Sequence, residues 1–140
     1  MIEAVDEELQ VGPAALAAGL RELGYDVDEV TPPGLGLPNG YGFIRFRYTI
    51  KLGSRRGEIV PIGFVAPGDF PASPPGGIYV KGELRPVSQS DELPHGGVSD
   101  ASPQLGAGWR YWSRAHDSWS QSRRDAAAWM RHVHRLFVDL

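Results

Sequence analysis

The chain has 140 residues and a formal net charge of −3 at pH 7, with acidic and basic residues in near balance. This length fits one domain with a real core, and the balanced charge argues against a nucleic-acid partner. The chain contains no cysteine, which excludes disulfides, thiolate metal sites and thiol nucleophiles.

The first predicted element is a short amphipathic helix, Pro13–Leu23, within an N-terminal region 1–30. Proline is acceptable in the first turn of a helix, and Gly24 is placed as its C-terminal stop. One face of this helix carries Leu16, Leu20 and Leu23. The following stretch, 31–40, has too many glycines and prolines for a helix or an inner strand, which predicts a loop.

An antiparallel sheet is predicted over 43–83. From Ile44 to Leu52, apolar and polar residues alternate with a period of two, as in a strand with one buried face. A second strand is predicted from Glu58 to Val65 and a third from Ile78 to Glu83. Between them, the prolines of 66–77 predict an ordered loop.

The segment 84–121 is rich in Gly, Pro, Ser and Asp, and it is predicted to be a long functional loop. A C-terminal helix is predicted over 122–140, opened by Ser122 and Asp125 in a capping-box-like arrangement. Its apolar positions recur at helical spacing: Trp129, Met130, Val133, Leu136, Phe137 and Leu140. These elements together predict one α+β domain over 1–140.

The order of these elements resembles that of the ubiquitin-conjugating enzymes. Asp69-Phe-Pro71 followed by Ser73-Pro-Pro75 resembles the proline loop of that family, in which stacked prolines brace the sheet. Asp117-Ser-Trp119-Ser120, which leads into the predicted C-terminal helix, resembles the Trp-Ser-Pro segment that precedes the cross-over helix of the family. The resemblance covers roughly 43–140, and it implies structural roles for Pro71, Pro74, Pro75 and Trp119.

A narrower resemblance lies in Trp109-Arg-Tyr-Trp-Ser-Arg114 with His116. It is similar to a Trp-x-x-Trp-Ser-Arg-His pattern of a divergent bacterial branch linked with ubiquitin-like modification. In this chain Ala115 stands between the arginine and the histidine. The resemblance implies that Trp109, Trp112 and Arg114 contribute to binding.

The catalytic groups of the family are missing from this chain. Its active members use a cysteine thiolate to accept the carboxyl group of a ubiquitin-like protein, and the resemblance puts that position near Tyr111. The asparagine that stabilises the oxyanion also has no counterpart, because the nearest segment reads Leu93-Pro-His95-Gly-Gly97. We therefore expect a non-thioester adaptor or pseudoenzyme that binds a ubiquitin-like protein or its activating or conjugating enzymes.

Two alternatives stay open at this point. One is an enzyme that transfers or hydrolyses an acyl group, using Ser113 or Tyr111 with His116 or His95 as the base. The other is a structural interaction module of a larger assembly. Burial in the core is expected for Trp119 and Trp129, whereas Trp109, Tyr111 and Trp112 could belong either to the core or to a partner-binding surface.

No metal site and no cofactor are predicted. His132 and His134 are two apart on the predicted helix, so they point in different directions and are expected to face solvent or lie at a helix end. The first residues are acidic where a signal peptide needs positive charge, and no run is long enough to span a bilayer. The sequence therefore predicts a cytoplasmic protein without a membrane partner.

Overall fold

The computed structural model describes residues 11–30, 32–82 and 98–138. Within these ranges, helices and strands follow one another in this order: α1 Pro13–Glu22, β1 Asp28–Val30, β2 Gly42–Thr49, β3 Ile59–Ala66, β4 Ile78–Lys81, β5 Val98–Asp100, α2 Ser102–Leu105, β6 Trp109–Trp112 and α3 Ala126–Leu136. Two 3₁₀ turns, Pro33–Leu35 and Trp119–Gln121, lie between them. His95 and the acidic residues of 1–10 lie outside the described residues.

The described strands form one antiparallel sheet in the order β1-β2-β3-β4-β6-β5. The predicted α+β class is confirmed. One helix precedes the antiparallel sheet in the chain, and another follows it. The first predicted strand ends at Thr49 instead of Leu52, and the side chain of Leu52 is exposed. Strand β1 was not predicted, because a segment of three residues is too short to show a periodic pattern. None of the described helices is long and apolar enough to cross a membrane.

The prediction of a continuous loop over 84–121 is wrong for residues 98–112, which contain two strands and a short helix, whereas residues 113–118 are a loop as predicted. Strand β6 pairs with β4 through four residues, from Ile78 opposite Trp112 to Lys81 opposite Trp109. Strand β5 then pairs with β6 on its other side. These two strands were not predicted because they have only three and four residues and are surrounded by glycines and prolines.

The C-terminal helix begins later than the sequence predicted. Asp125 is its N-cap, because its carboxylate accepts a hydrogen bond of 2.8 Å from the backbone N–H of Ala128. The hydroxyl of Ser122 donates instead to the carbonyl of Trp119, at 2.8 Å. The helix ends at Leu136, and Leu140 lies outside the described residues.

The inner face of the sheet holds the main core. Even-numbered residues of β2 and β3 point to this face and pack against α1 and α3, as the edge-to-face contact of Phe64 with Trp129 shows (ring centroids 5.5 Å apart). The predicted burial of Trp119 and Trp129 is confirmed. From α1 the core receives Leu16, Ala17 and Leu20, whereas Leu23, predicted on the same face, is 46% exposed.

The two long helices approach closely where α1 passes the start of α3. A Cβ atom built on Gly19 would lie 2.6 Å from the Cβ of Ala126. Atoms at that separation overlap, so only a glycine fits at this position without movement of a helix. This contact fixes how α1 and α3 share the inner face.

The outer face of the sheet carries a second, smaller apolar group. Phe43 and Trp109 are both buried there, although neither belongs to the main core. Phe43 lies against Gly63 and makes an edge-to-face contact with Tyr79, with ring centroids 5.6 Å apart. The turn Pro33–Leu35 meets α2 at this face. The outer face is therefore partly buried instead of fully exposed to solvent.

Candidate functional site

Tyr111, the position that the family resemblance gives to the catalytic cysteine, lies on the outer face in strand β6. It is paired with Tyr79 of β4, and their ring centroids are 4.7 Å apart. Burial raises the pKa of the Tyr111 phenol, and the neighbouring Tyr79 raises it further. The phenol is therefore neutral at physiological pH, which makes it a hydrogen-bonding group and a poor nucleophile.

A cavity of about 440 Å³ opens beside this tyrosine pair. We call it the Tyr111 cavity. Its wall combines the loop before β2, the end of β3, the loop after β3 and the outer face of β4 and β6: Leu37, Pro38, Tyr41, Val65, Pro67, Ser73, Pro74, Gly76, Gly77, Tyr79 and Tyr111. The lining is mostly aromatic side chains and prolines with a few hydroxyl groups, a composition that suits an extended peptide segment.

The glycines of the β3–β4 loop keep the cavity open next to the Tyr111 hydroxyl. A Cβ atom on Gly77 would lie 2.8 Å from the phenol oxygen, and one on Gly76 would lie 3.5 Å from it. A larger side chain at position 77 would also collide with the backbone of Trp112. At position 77 the backbone therefore approaches the hydroxyl more closely than a residue with a side chain could, whereas a Cβ at position 76 would make an ordinary contact.

The proline loop and the tryptophan segment meet in the structure. The indole N–H of Trp119 donates a 2.8 Å hydrogen bond to the carbonyl of Pro71, and the Trp119 ring lies 5.9 Å from that of Phe70. Ser73 donates to the carboxylate of Asp69 at 2.9 Å, and Pro75 is buried. Pro74 alone of these prolines lines the Tyr111 cavity. These contacts fix the loop that forms one wall of the cavity.

The contacts of Ser113 and His116 bear on the acyl-transfer alternative. Within the part of the chain that the structure describes, no hydrogen bond joins the Ser113 hydroxyl to the His116 ring, which packs against Trp119 and His132 instead. Their centroids lie 5.3 Å and 5.0 Å from that of His116. His95, the other proposed base, lies outside the described residues. The described geometry thus offers no assembled nucleophile and base.

Trp109, Trp112 and Arg114 are all buried, although Trp109 lines a cavity on the outer face. Trp112 is fully enclosed on the inner face, where its ring centroid is 5.1 Å from that of Phe137. Arg114 donates to the carbonyl of Ser113 at 3.0 Å, and burial lowers the pKa of its guanidinium. Of the two alternatives left open for the tryptophans, burial favours packing. Tyr111, like Arg110 and Ser113, is partly exposed.

His132 and His134 are half-buried and hydrogen-bonded instead of facing solvent, and His134 lies in the last turn of α3, which was the other predicted alternative. The ring of His132 donates from Nε2 to the carbonyl of Arg114 at 2.9 Å, and His134 Nδ1 lies 2.6 Å from the Tyr48 hydroxyl. Burial lowers the pKa of both imidazoles. Among the described residues, no group of three or more His, Asp or Glu side chains could hold a metal ion.

This burial predicts a pH-dependent stability. The unfolded chain binds protons on these two histidines below about pH 6.5, whereas the folded chain binds them only at lower pH. The free energy of unfolding is therefore expected to decrease as the pH falls below 6.5. Urea unfolding at pH 7.5 and pH 5.5 measures this decrease, which should shrink in the variant His132→Gln/His134→Gln. An unchanged decrease in that variant would assign the effect to other groups.

Sequence reasoning missed two residues that shape the cavity, Tyr41 and Tyr79. The signal was present in the alternation of the strands. Tyr79 and Tyr111 occupy the positions of β4 and β6 that face away from the main core, where polar residues are expected. Aromatic side chains on the sheet face that was expected to be solvent-exposed indicate a second packed surface or a binding surface.

The fold and this cavity define an α+β protein with an antiparallel sheet and a tyrosine-lined cavity on its outer face. Comparison of the chain with protein-family models, with curated proteins and with solved structures found no match.

Proposed function

We propose that this protein is a non-covalent, ubiquitin-conjugating-like binding module that holds the extended carboxyl-terminal segment of a ubiquitin-like protein in the Tyr111 cavity. The observation that carries the proposal is the cavity itself, which opens at the position that the family resemblance gives to the catalytic cysteine. The contact between Trp119 and Pro71 supports it, because this contact joins the two segments on which the resemblance depends.

The chemistry of the site favours binding over covalent transfer. The chain has no cysteine, and the raised pKa of Tyr111 keeps its phenol protonated. Protonated phenols donate hydrogen bonds to carbonyl and carboxylate oxygens. An extended chain end that is rich in glycine would lie in the cavity beside the tyrosine hydroxyls. The acyl-transfer alternative lacks a contact between Ser113 and His116.

The test is a ¹H–¹⁵N NMR titration of the full chain with the ubiquitin-like proteins of the same organism. We expect the amides of Gly76 and Gly77 to shift on addition of one of them. Tyr41→Ala should weaken this binding roughly fivefold or more, since truncating a contacting aromatic ring in an interface typically costs over about 1 kcal/mol. Tyr41 suits the test because its ring is 43% exposed, so its removal spares the core.

Ile59→Ala is the matched control, because Ile59 is an exposed apolar residue of β3 that does not line the cavity. Its affinity should equal that of the unchanged chain. A second arm mixes the chain with the activating enzyme, ATP and the ubiquitin-like protein, and no covalent adduct is expected. A covalent adduct, or binding that Tyr41→Ala leaves unchanged, would contradict the proposal.

A further inference from the structure

A second cavity lies on the outer face, and its most prominent side chains are cationic. Arg45 and Arg47 are two apart on β2 and point to the same side of the sheet. Arg47 lies opposite Pro61 of β3, and on the far side of Pro61 the face continues with Lys81 of β4, which lies opposite Trp109. The three cationic side chains therefore lie on the part of the outer face where Pro61 stands between β2 and β4, and proline has no long side chain to fill the space between them.

The cavity has a volume of about 520 Å³, within the range of roughly 300–1,000 Å³ that is usual for small-molecule sites. It shares no lining residue with the Tyr111 cavity. Its lining comprises Asp26, Asp28, Arg45, Phe46, Arg47, Pro61, Lys81, Leu105 and Trp109. We call it the cationic cavity.

The cations of this cavity have no protein partners among the described residues. No hydrogen bond or ion pair there engages the side chain of Arg45, Arg47 or Lys81. Asp28 lies opposite Arg45 in the β1–β2 ladder, yet no ion pair joins them. With two carboxylates, Asp26 and Asp28, beside the three cations, the lining has a formal net charge of +1, and the side chains of the three cations are available to donate to a bound anion.

The remaining lining distinguishes this cavity from a plain anion site. Pro61, Leu105 and Trp109 supply an apolar portion that would contact the body of an organic ligand. Asp26 and Asp28 supply carboxylates that accept hydrogen bonds from hydroxyl or amino groups. Each portion of the lining selects a different part of a ligand: an anionic group, a planar apolar body and hydroxyl donors.

We propose that the cationic cavity binds a nucleoside phosphate. Its phosphate groups would lie against Arg45, Arg47 and Lys81, and its base against the apolar portion of the lining. The hydroxyls of the sugar would donate to the two aspartates. This site is independent of the proposed binding of a ubiquitin-like protein, because it uses a separate cavity with separate residues.

The test is a titration of the full chain with ADP, in parallel with adenosine and inorganic pyrophosphate, without added magnesium. The readout is isothermal calorimetry together with the NMR signal of the Trp109 indole N–H. We expect ADP to bind and to shift the Trp109 signal. Adenosine lacks the anion and pyrophosphate lacks the apolar body, so each should bind about tenfold more weakly or worse.

Arg47→Ala and Lys81→Ala should each weaken ADP binding about tenfold, since each removes a charged donor to phosphate. Both side chains are exposed, so their removal should not unfold the chain. Arg56→Ala is the matched control, because Arg56 is an exposed arginine of the β2–β3 hairpin outside the cavity, and it should leave the affinity unchanged.

Three results would overturn the inference. No binding of ADP at millimolar concentration would remove the site. Pyrophosphate that binds as tightly as ADP would show an anion site without selection for a nucleoside. Equal weakening by Arg56→Ala would show general charge attraction. None of these results bears on the Tyr111 cavity, which is tested by a different partner and different variants.

Discussion

Replacement of Trp129 by alanine is expected to lower the free energy of unfolding by roughly 3–5 kcal/mol. The indole is fully buried at the centre of the inner face, where it contacts Phe64 and, at 5.1 Å between centroids, His132. Its N–H has no hydrogen-bond partner among the described residues, so the loss reports packing alone. A loss of this size is a large part of the roughly 5–15 kcal/mol that stabilises a typical domain.

Urea denaturation followed by far-UV circular dichroism measures this loss. Leu52→Ala is the control, since Leu52 is 58% exposed on the β2–β3 hairpin, and it should change the stability by no more than about 0.5 kcal/mol. If Trp129→Ala cost less than about 1 kcal/mol, the ring would not lie in a packed core.

Gly19→Val is expected to destabilise the protein by roughly 1–3 kcal/mol, although glycine is itself a poor helix former. The reason is the contact between α1 and α3, where a new Cβ would lie 2.6 Å from that of Ala126. Ala14→Val, at an exposed position of the same helix, carries only the helix-propensity cost of valine and is the matched control.

A double variant separates crowding from propensity. Ala126→Gly removes the methyl group that the valine side chain at position 19 would collide with, so the double variant should be more stable than the sum of the single changes predicts. Thermal and urea unfolding of the four proteins give this coupling energy. Strict additivity would mean that α1 and α3 do not meet at this point.

The elements of this fold that could be predicted from sequence are those long enough to repeat their hydrophobic pattern several times. Strand β2 has eight residues with a clear alternation, and α3 has apolar residues at helical spacing. Strand β6 could not be recognised in the same way, because Trp109–Trp112 is short and its place is decided by pairing with β4. Local pattern is informative only where an element is long enough to repeat it.

The Tyr111 cavity could not be predicted from local sequence pattern either, because residues far apart in the chain form it. Its walls come from the loop before β2, the loop after β3 and strand β6, which are separated by up to about 70 residues in the chain. Tyr111 could be singled out from sequence, whereas its pairing with Tyr79 follows from the order of strands in the sheet. Sequence reasoning therefore located one wall of the cavity but not the cavity.

The outermost strands, β1 and β5, have three residues each. Strands this short offer few free N–H and C=O groups to an incoming strand, so β-augmentation at β1 or β5 is disfavoured. At these two edges a partner would instead be recognised through side chains on a face of the sheet. Helices cover the inner face, which leaves recognition to the outer one, where both cavities lie.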